Sequence, residues 1–287
     1  MKTQSSGGVR RASAKKLTRR ERAQRPVRVA VSALLIVGLS GWLAVLIDPA
    51  YGTVVAIAAG TAYLGALFSR DLALLRISAA KTEALNALAP LRHDQIYPLN
   101  PATLSPENSF TLCHEIIYRR PKRILELGSG SSTIFMARCL DLLGDDDARI
   151  VCLEHVEFWC GEVKRMVEQA GLTNRVEVFH APIVETLGPE DRPIFWYDLS
   201  VLPEDVGPFD FVLVDGPEGG KGDPLARYGA FRLLRRRLSR GALLLVDDGE
   251  REGETEIVRM WSRLEPRLQS TFIKSEEGLW LVELPDT

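Results

Sequence analysis

The sequence predicts an α/β protein: a doubly wound, Rossmann-like sheet of mostly parallel strands closed by an antiparallel C-terminal pair, preceded by two transmembrane helices. Three observations carry this. After Pro121, short apolar runs alternate with helical stretches, the pattern of a parallel sheet covered on both faces. The last two strand-like runs, residues 270–275 and 279–284, are separated only by Glu276, Glu277 and Gly278, which leaves no room for a crossover helix and forces antiparallel pairing. Residues 29–47 and 49–69 carry no charge, with only Asp48 between them, and each run approaches the roughly 20 residues that cross a bilayer core.

In chain order, residues 1–28 come first. The 287-residue chain has 36 Lys plus Arg against 38 Asp plus Glu, but ten of those cations fall in this segment with a single acid, Glu21. The near-neutral total is therefore a +9 tail joined to a body of −11. Average glycine and proline content excludes a collagen-like or wholly disordered chain. The tail lacks interleaved aromatics and the acidic body repels phosphate, so no nucleic-acid partner is expected. Anionic lipid headgroups are a possible partner of the tail, an orientation signal alone being the other reading.

Residues 29–69 read as a transmembrane hairpin turned at Asp48, Pro49, Ala50, Tyr51 and Gly52. The alternatives are a buried hairpin of a soluble protein and a signal peptide, and the second apolar run disfavours the latter. Cations before the first run, and Arg70, Arg76 and Lys81 after the second, put both ends on the cytoplasmic face. The expected location is the inner (cytoplasmic) membrane, with two spans and a cytoplasmic body. There Cys113, Cys139, Cys152 and Cys160, which lack metal-site spacing, stay reduced.

Residues 70–104 follow as a juxtamembrane segment. Leu72, Leu75, Ala79 and Leu88 line one face of a helix over 70–89 that ends at Pro90 and either lies on the membrane or packs on the body. A proline-containing linker comes next. The body, residues 105–287, opens with a helix capped by Ser105 or Asn108 and stopped by Pro121. Strands are expected at Arg123–Leu127, Arg149–Glu154, 176–179, Phe209–Val214 and 242–246, with helices near 132–143, 158–170, 224–239 and 254–265. A long insertion, 184–208, contains Phe195, Trp196 and Tyr197 and is either a cover for an acceptor pocket or an edge strand on the core.

Ligands of open α/β sheets bind at the carboxyl ends of strands. The first strand runs into Glu126, Gly128, Ser129, Gly130 and Ser131, a glycine turn leading into a helix N-terminus. Thr133 stands where a dinucleotide fingerprint has its third glycine. Glu154 ends the second strand, where a carboxylate can bind ribose hydroxyls. Asp215 ends the fourth expected strand and Asp247 and Asp248 the fifth, so three acids converge on one crevice and suggest a metal or catalysis. His155 reads as a packing or surface residue, Arg232–Arg240 as a solvated helix face, and Arg251 as a partner for Asp248 or for an acidic acceptor.

The segments ILELGSGSST, VCLEHVEFW, VFHAPI, FDFVLVDGP and GALLLVDDGER resemble, in order and spacing, the class I S-adenosylmethionine-dependent methyltransferases. The likeness is greatest to the bacterial methyltransferase family 24 and, at the strand ends, to catechol O-methyltransferases. The resemblance covers about residues 105–287. It implies that Glu126, Gly128, Ser129, Gly130 and Ser131 contact the methionine part of S-adenosyl-L-methionine, that Glu154 binds the ribose, and that His180 or Ala181 lies near adenine. Asp215 would sit beside the sulfonium. Asp215, Asp247 and Asp248 would hold Mg²⁺ or another divalent cation, although the catechol relatives usually have Asn at the last position. Asp215, Lys221 and Asp248 are the expected catalytic residues, with Lys221 a loose match for the lysine base. The expected activity is O-methylation of a small-molecule, lipid or saccharide acceptor. The alternatives are a nicotinamide-dependent oxidoreductase, which Thr133 and the antiparallel ending disfavour, and a non-catalytic membrane scaffold.

Overall fold

The computed structural model describes residues 35, 38, 39, 42, 46, 48–92, 103–188, 192–218 and 223–286. The chain forms two compact units, Met1–Arg76 and Ile77–Thr287.

Helix α1, Pro49–Arg92, runs through both. Its start is chemically specified: the Asp48 carboxylate accepts the Ala50 N–H at 2.9 Å and the Asp48 carbonyl accepts that of Gly52, with Pro49 at the first helical position. Among the described residues this is the one helix long and apolar enough to cross a membrane, and only 6% of its apolar window is buried. The first expected span is described only at Leu35, Gly38, Leu39, Trp42 and Leu46, each helical; its other residues lie outside the described ones.

The juxtamembrane helix is corrected. Nothing between residues 69 and 70 breaks a helix, so 70–89 continues the apolar run, and Pro90 sits within the last turn rather than ending it. Of the expected apolar face only Leu88 is buried. It joins Leu91 in the core of the second unit, whereas Leu72, Leu75 and Ala79 are exposed. Lys81 pairs with Glu276 at 2.9 Å.

Helix α2, Pro106–Arg119, is capped by Ser105, whose Oγ accepts the Asn108 N–H at 3.2 Å, and ends on left-handed Arg120 before Pro121. Strands β1 (Arg123–Leu127), β2 (Arg149–Glu154) and β3 (Val176–His180) alternate with helices α3 (Ser131–Leu143) and α4 (Glu157–Gln169). The insertion resolves as an antiparallel hairpin, β4 (Ile183–Leu187) and β5 (Pro193–Tyr197), standing in the β3-to-β6 crossover. Ile194, Trp196 and Tyr197 pack into the core, as the edge-strand alternative expects, but the strand belongs to a separate two-stranded sheet rather than to the edge of the main one. Strands β6 (Phe209–Val214) and β7 (Leu238–Asp247) follow, then helix α6 (Glu252–Leu264) and strands β8 (Gln269–Ile273) and β9 (Leu279–Glu283).

The expected helix over 224–239 does not form. It is replaced by a 3₁₀ turn (Ala226–Tyr228), the single-turn α5 (Gly229–Arg232) and another 3₁₀ turn (Arg235–Arg237), so the arginine run is not a helix face. β7 begins correspondingly early, at Leu238.

The sheet order is β3-β2-β1-β6-β7-β9-β8, parallel from β3 to β7 and antiparallel for the last two pairings. Side chains alternate between two cores. Ile124, Phe211, Leu213, Leu243 and Leu245 face one, with residues of α2, α3 and α4, while Leu125, Leu127, Val212, Val214, Leu244 and Val246 face the other, with Trp196, Phe231 and Trp261. The strand order reverses between β1 and β6, and the carboxyl ends of the strands at such a switch point are where open sheets take their ligands.

Candidate cofactor and acid site at the strand ends

The glycine turn after β1 is held from three sides. Gly128 has φ +86° and a Cβ there would press on the backbone of Gly216 at 3.1 Å, so only glycine lets the ends of β1 and β6 approach this closely. Gly128 N–H donates to the Leu153 carbonyl and Asp215 N–H to that of Leu127. Thr133 takes over where a third glycine was absent: its hydroxyl accepts the Gly130 N–H at 3.1 Å and donates to Glu126 at 2.5 Å.

Glu126, for which the resemblance implies a cofactor contact, is engaged by the protein itself. Its parity on β1 turns it under α3, where it is wholly buried and accepts from Ser132 Oγ, Thr133 Oγ1 and Cys152 Sγ. Burial raises its pKa to about 7, against the lowering effect of these three donors. Its work is to tie the glycine turn to the helix. Ser131, the first residue of α3, is buried.

Glu154 lies at the end of β2 as expected. One oxygen accepts Ser129 N–H at 3.1 Å and the other Val156 N–H at 2.8 Å, while His155 Nδ1 lies 3.3 Å away. Burial opposes its charge, but His155 and the two backbone donors outweigh that and hold it below the ordinary carboxylate range. His155 thus stands directly beside the Glu154 carboxylate. At the neighbouring strand end His180 Nε2 lies 3.2 Å from the His155 carbonyl, and Ala181 is fully buried, its N–H donating to the Glu154 carbonyl.

Sequence reasoning passed over Tyr197 as a site residue. Its ring is buried against the His155 ring, with centroids 6.0 Å apart. Among the described residues its hydroxyl has no hydrogen-bond partner, and it lies against Gly216, where a Cβ would collide with it. An orphaned donor at this junction is the kind of group a bound ligand satisfies. Burial pushes its pKa well up, as do the charges of Glu154 and Asp215, so it remains a hydroxyl.

Asp215, Asp247 and Asp248 do converge, with oxygens within 4.8 Å of one another. Asp248 adopts φ +59°, a left-handed conformation that Asp tolerates better than most residues. Among them stands Arg227, which no sequence motif singles out. Its Nη2 lies 3.3 Å from Asp215 Oδ1 and 3.0 Å from Asp248 Oδ2, and its side chain is 3% exposed. Asn108 Nδ2 donates to Asp247 Oδ1 at 2.6 Å, and Arg251 reaches Asp248 Oδ2 at 2.6 Å, the pairing expected for it. Burial and mutual repulsion still raise Asp215 and Asp247 above ordinary carboxylates. Each acid thus already has a protein donor, which fits a bound divalent ion poorly. Lys221 lies outside the described residues. All four cysteines are free and buried.

Residues 125–249, from β1 to the Asp pair, match the family model described as a methyltransferase domain. The sheet order and this match define a Rossmann-like α/β methyltransferase fold. Solved structures similar to the chain include the O-methyltransferase from Bacillus cereus in complex with SAH, at 21% identity over 72% of this chain and 90% of that one, TM-score 0.46. Two others are the O-methyltransferase TomG from Streptomyces achromogenes in complex with SAM (20% identity, 72% and 89% covered, TM-score 0.48) and the SAH-bound methyltransferase PaMTH1 of Podospora anserina (18%, 72% and 97%, TM-score 0.49). No curated protein matches the sequence.

Proposed function

We propose that the chain is a membrane-anchored methyltransferase that binds S-adenosyl-L-methionine at the ends of β1, β2 and β6 and methylates an oxygen of a small-molecule, lipid or saccharide acceptor. The observation that carries this is the Glu154 carboxylate, held charged beside the glycine turn by Ser129, Val156 and His155, where it can accept two ribose hydroxyls. The orphaned Tyr197 hydroxyl supports a ligand at the same junction. Bound cofactor would supply an electrophilic methyl group. The chain's own part is to hold that ligand across the glycine crossing and to receive the acceptor's proton. We assign the proton to Asp215, which keeps one-fifth of its side chain open, whereas Asp247 is buried on Asn108 and Asp248 is paired with Arg227 and Arg251.

Anchoring is supported by the exposed apolar surface of α1, including Ile57, Leu64 and Phe68, and by the +9 tail, which favours a cytoplasmic body. An acceptor that shares the membrane surface follows from that placement.

The test is calorimetric titration of S-adenosylhomocysteine into the full chain in detergent. Binding is expected, and Glu154→Gln should weaken it by about tenfold or more, as loss of a charged acceptor does. A wild-type chain that is folded but binds no S-adenosylhomocysteine refutes the reading. Mass spectrometry of membrane extracts for a gain of about 14 mass units, the methyl replacing hydrogen, then identifies the acceptor.

A further inference from the structure

The acids at the ends of β6 and β7 have the composition of a divalent-cation site, yet a protein cation is built into them. Arg227 approaches from the 3₁₀ turn Ala226–Tyr228, on the opposite side of the sheet from Asn108, and every nitrogen of its guanidinium has a partner. Nε donates to the Pro217 carbonyl at 3.4 Å, Nη1 to the Asp247 carbonyl at 2.9 Å, and Nη2 to the Asp215 carbonyl at 2.5 Å as well as toward the carboxylates of Asp215 and Asp248. Glu254, itself buried, lies 3.9 Å from Nη1. The guanidinium therefore clamps the last carbonyls of two adjacent strands and neutralises the acids they carry. It cannot deprotonate, and with 3% exposure it has no solvent route out of the cluster without breaking these bonds.

A divalent ion would need oxygen lone pairs at about 2.0–2.6 Å. It would compete for the same lone pairs that Nη2, Asn108 Nδ2 and Arg251 Nη1 occupy, at close range to a fixed positive charge. Asp248 in place of the Asn usual in the catechol-type resemblance also has a consequence here, because the added charge gives Arg227 and Arg251 a common carboxylate.

We propose that Arg227 is the resident cation of this cluster: it performs the charge-neutralising and loop-positioning work of a divalent ion, and the site binds its ligand without one. The proposal rests on the methyltransferase reading only for the identity of that ligand. One chemical consequence is that the acceptor need not present two neighbouring oxygens for chelation; a single hydroxyl suffices if a base takes its proton. Arg227 acts here as a positioning residue, through the strand ends and their acids.

The experiment titrates Mn²⁺ into EDTA-stripped full-length protein in detergent, followed by the electron paramagnetic resonance signal of free Mn²⁺, with S-adenosylhomocysteine affinity measured in parallel in EDTA and in Mg²⁺. Wild type should take up no Mn²⁺ that Asp248→Asn removes, and its affinity for S-adenosylhomocysteine should agree within about twofold with and without Mg²⁺, a difference below 0.5 kcal/mol by the usual affinity relation. Arg227→Gln should gain one Mn²⁺ site that a second substitution, Asp248→Asn, abolishes. Arg227→Lys keeps a charge and should gain none. A wild-type Mn²⁺ site lost in Asp248→Asn overturns the proposal, as does a tenfold loss of S-adenosylhomocysteine affinity in EDTA or a folded Arg227→Gln that takes up no Mn²⁺. If Arg227→Gln fails to fold, the wild-type and Arg227→Lys titrations still decide. A wild type that binds no S-adenosylhomocysteine in either condition refutes the methyltransferase reading and leaves the Mn²⁺ result standing.

Discussion

Glu126→Gln isolates the electrostatics beneath the glycine turn. The carboxyl is wholly buried and its pKa is raised from an ordinary 4.5 to about 7, burial outweighing the donors Ser132, Thr133 and Cys152. At 1.36 kcal/mol per tenfold, that displacement corresponds to about 3 kcal/mol. Because the folded protein holds this proton more tightly than the unfolded chain, the group's stabilising contribution is fully present below pH 4.5 and is lost as the pH rises through about 7. Gln has the shape of the protonated acid: its amide oxygen accepts from the hydroxyl on one side, and the hydroxyl on the other side rotates to receive an amide proton. The variant should therefore match wild type at about pH 4.5 and be more stable at pH 8, by up to ~3 kcal/mol. In a domain of this size that is roughly 6–12 °C in melting temperature. The assay is thermal or denaturant unfolding of both proteins in one detergent across pH 4.5–8. Other titrating groups cancel in the difference between the two curves. A Glu126→Gln protein less stable than wild type at pH 8 would refute the reasoning, because the donors would then be stabilising a carboxylate anion.

Three further outcomes follow from packing and hydrogen bonding. Tyr197→Phe removes a buried hydroxyl without a partner, so the free protein should be as stable as wild type or up to ~1 kcal/mol more so, while S-adenosylhomocysteine binding weakens about 5- to 30-fold; calorimetry and melting curves read the two effects, and unchanged binding counts against a ligand at that hydroxyl. Gly229→Ala drives a Cβ into the Trp196 indole, where the rigid ring has no room to yield; a loss of about 1–3 kcal/mol is expected in unfolding experiments. Leu88→Ala should cost about 2–5 kcal/mol because Leu88 is 3% exposed in the core, whereas Leu75→Ala, at a position 66% exposed, should leave the melting temperature of detergent-solubilised protein nearly unchanged.

Much of the fold is legible because local signals write it directly. The apolar strands, Pro121, the glycine turn and the short connection ending at Gly278 act within a few residues of themselves, and each forms close to where the pattern puts it, the connection as the five residues 274–278. The candidate site is legible for the same reason at Glu154 and at the three aspartates, each being the last residue of a strand or next to it. Glu126 ends up buried under α3, because its direction depends on strand parity and on what α3 places above it, and its place beside the glycine turn does not show either. The helix expected over 224–239 failed because Leu225, Tyr228, Phe231 and Leu234 must all face the second core, and a chain broken into short turns lets them do so while bringing Arg227 to the acids.

The sequence by itself determined the charge division between tail and body, the alternation that makes a parallel sheet, its antiparallel closure, and the acids at the strand ends, since each depends on neighbours in the chain. Only the tertiary structure decided what meets those acids. Asn108, Arg227 and Asp247 are distant in sequence, and no spacing rule links them. They come together because β1, β6 and β7 lie side by side with α2 on one face and the Ala226–Tyr228 turn on the other. A carboxylate's chemistry is set by the donors and charges within a few ångströms, and in this chain the sheet supplies those neighbours.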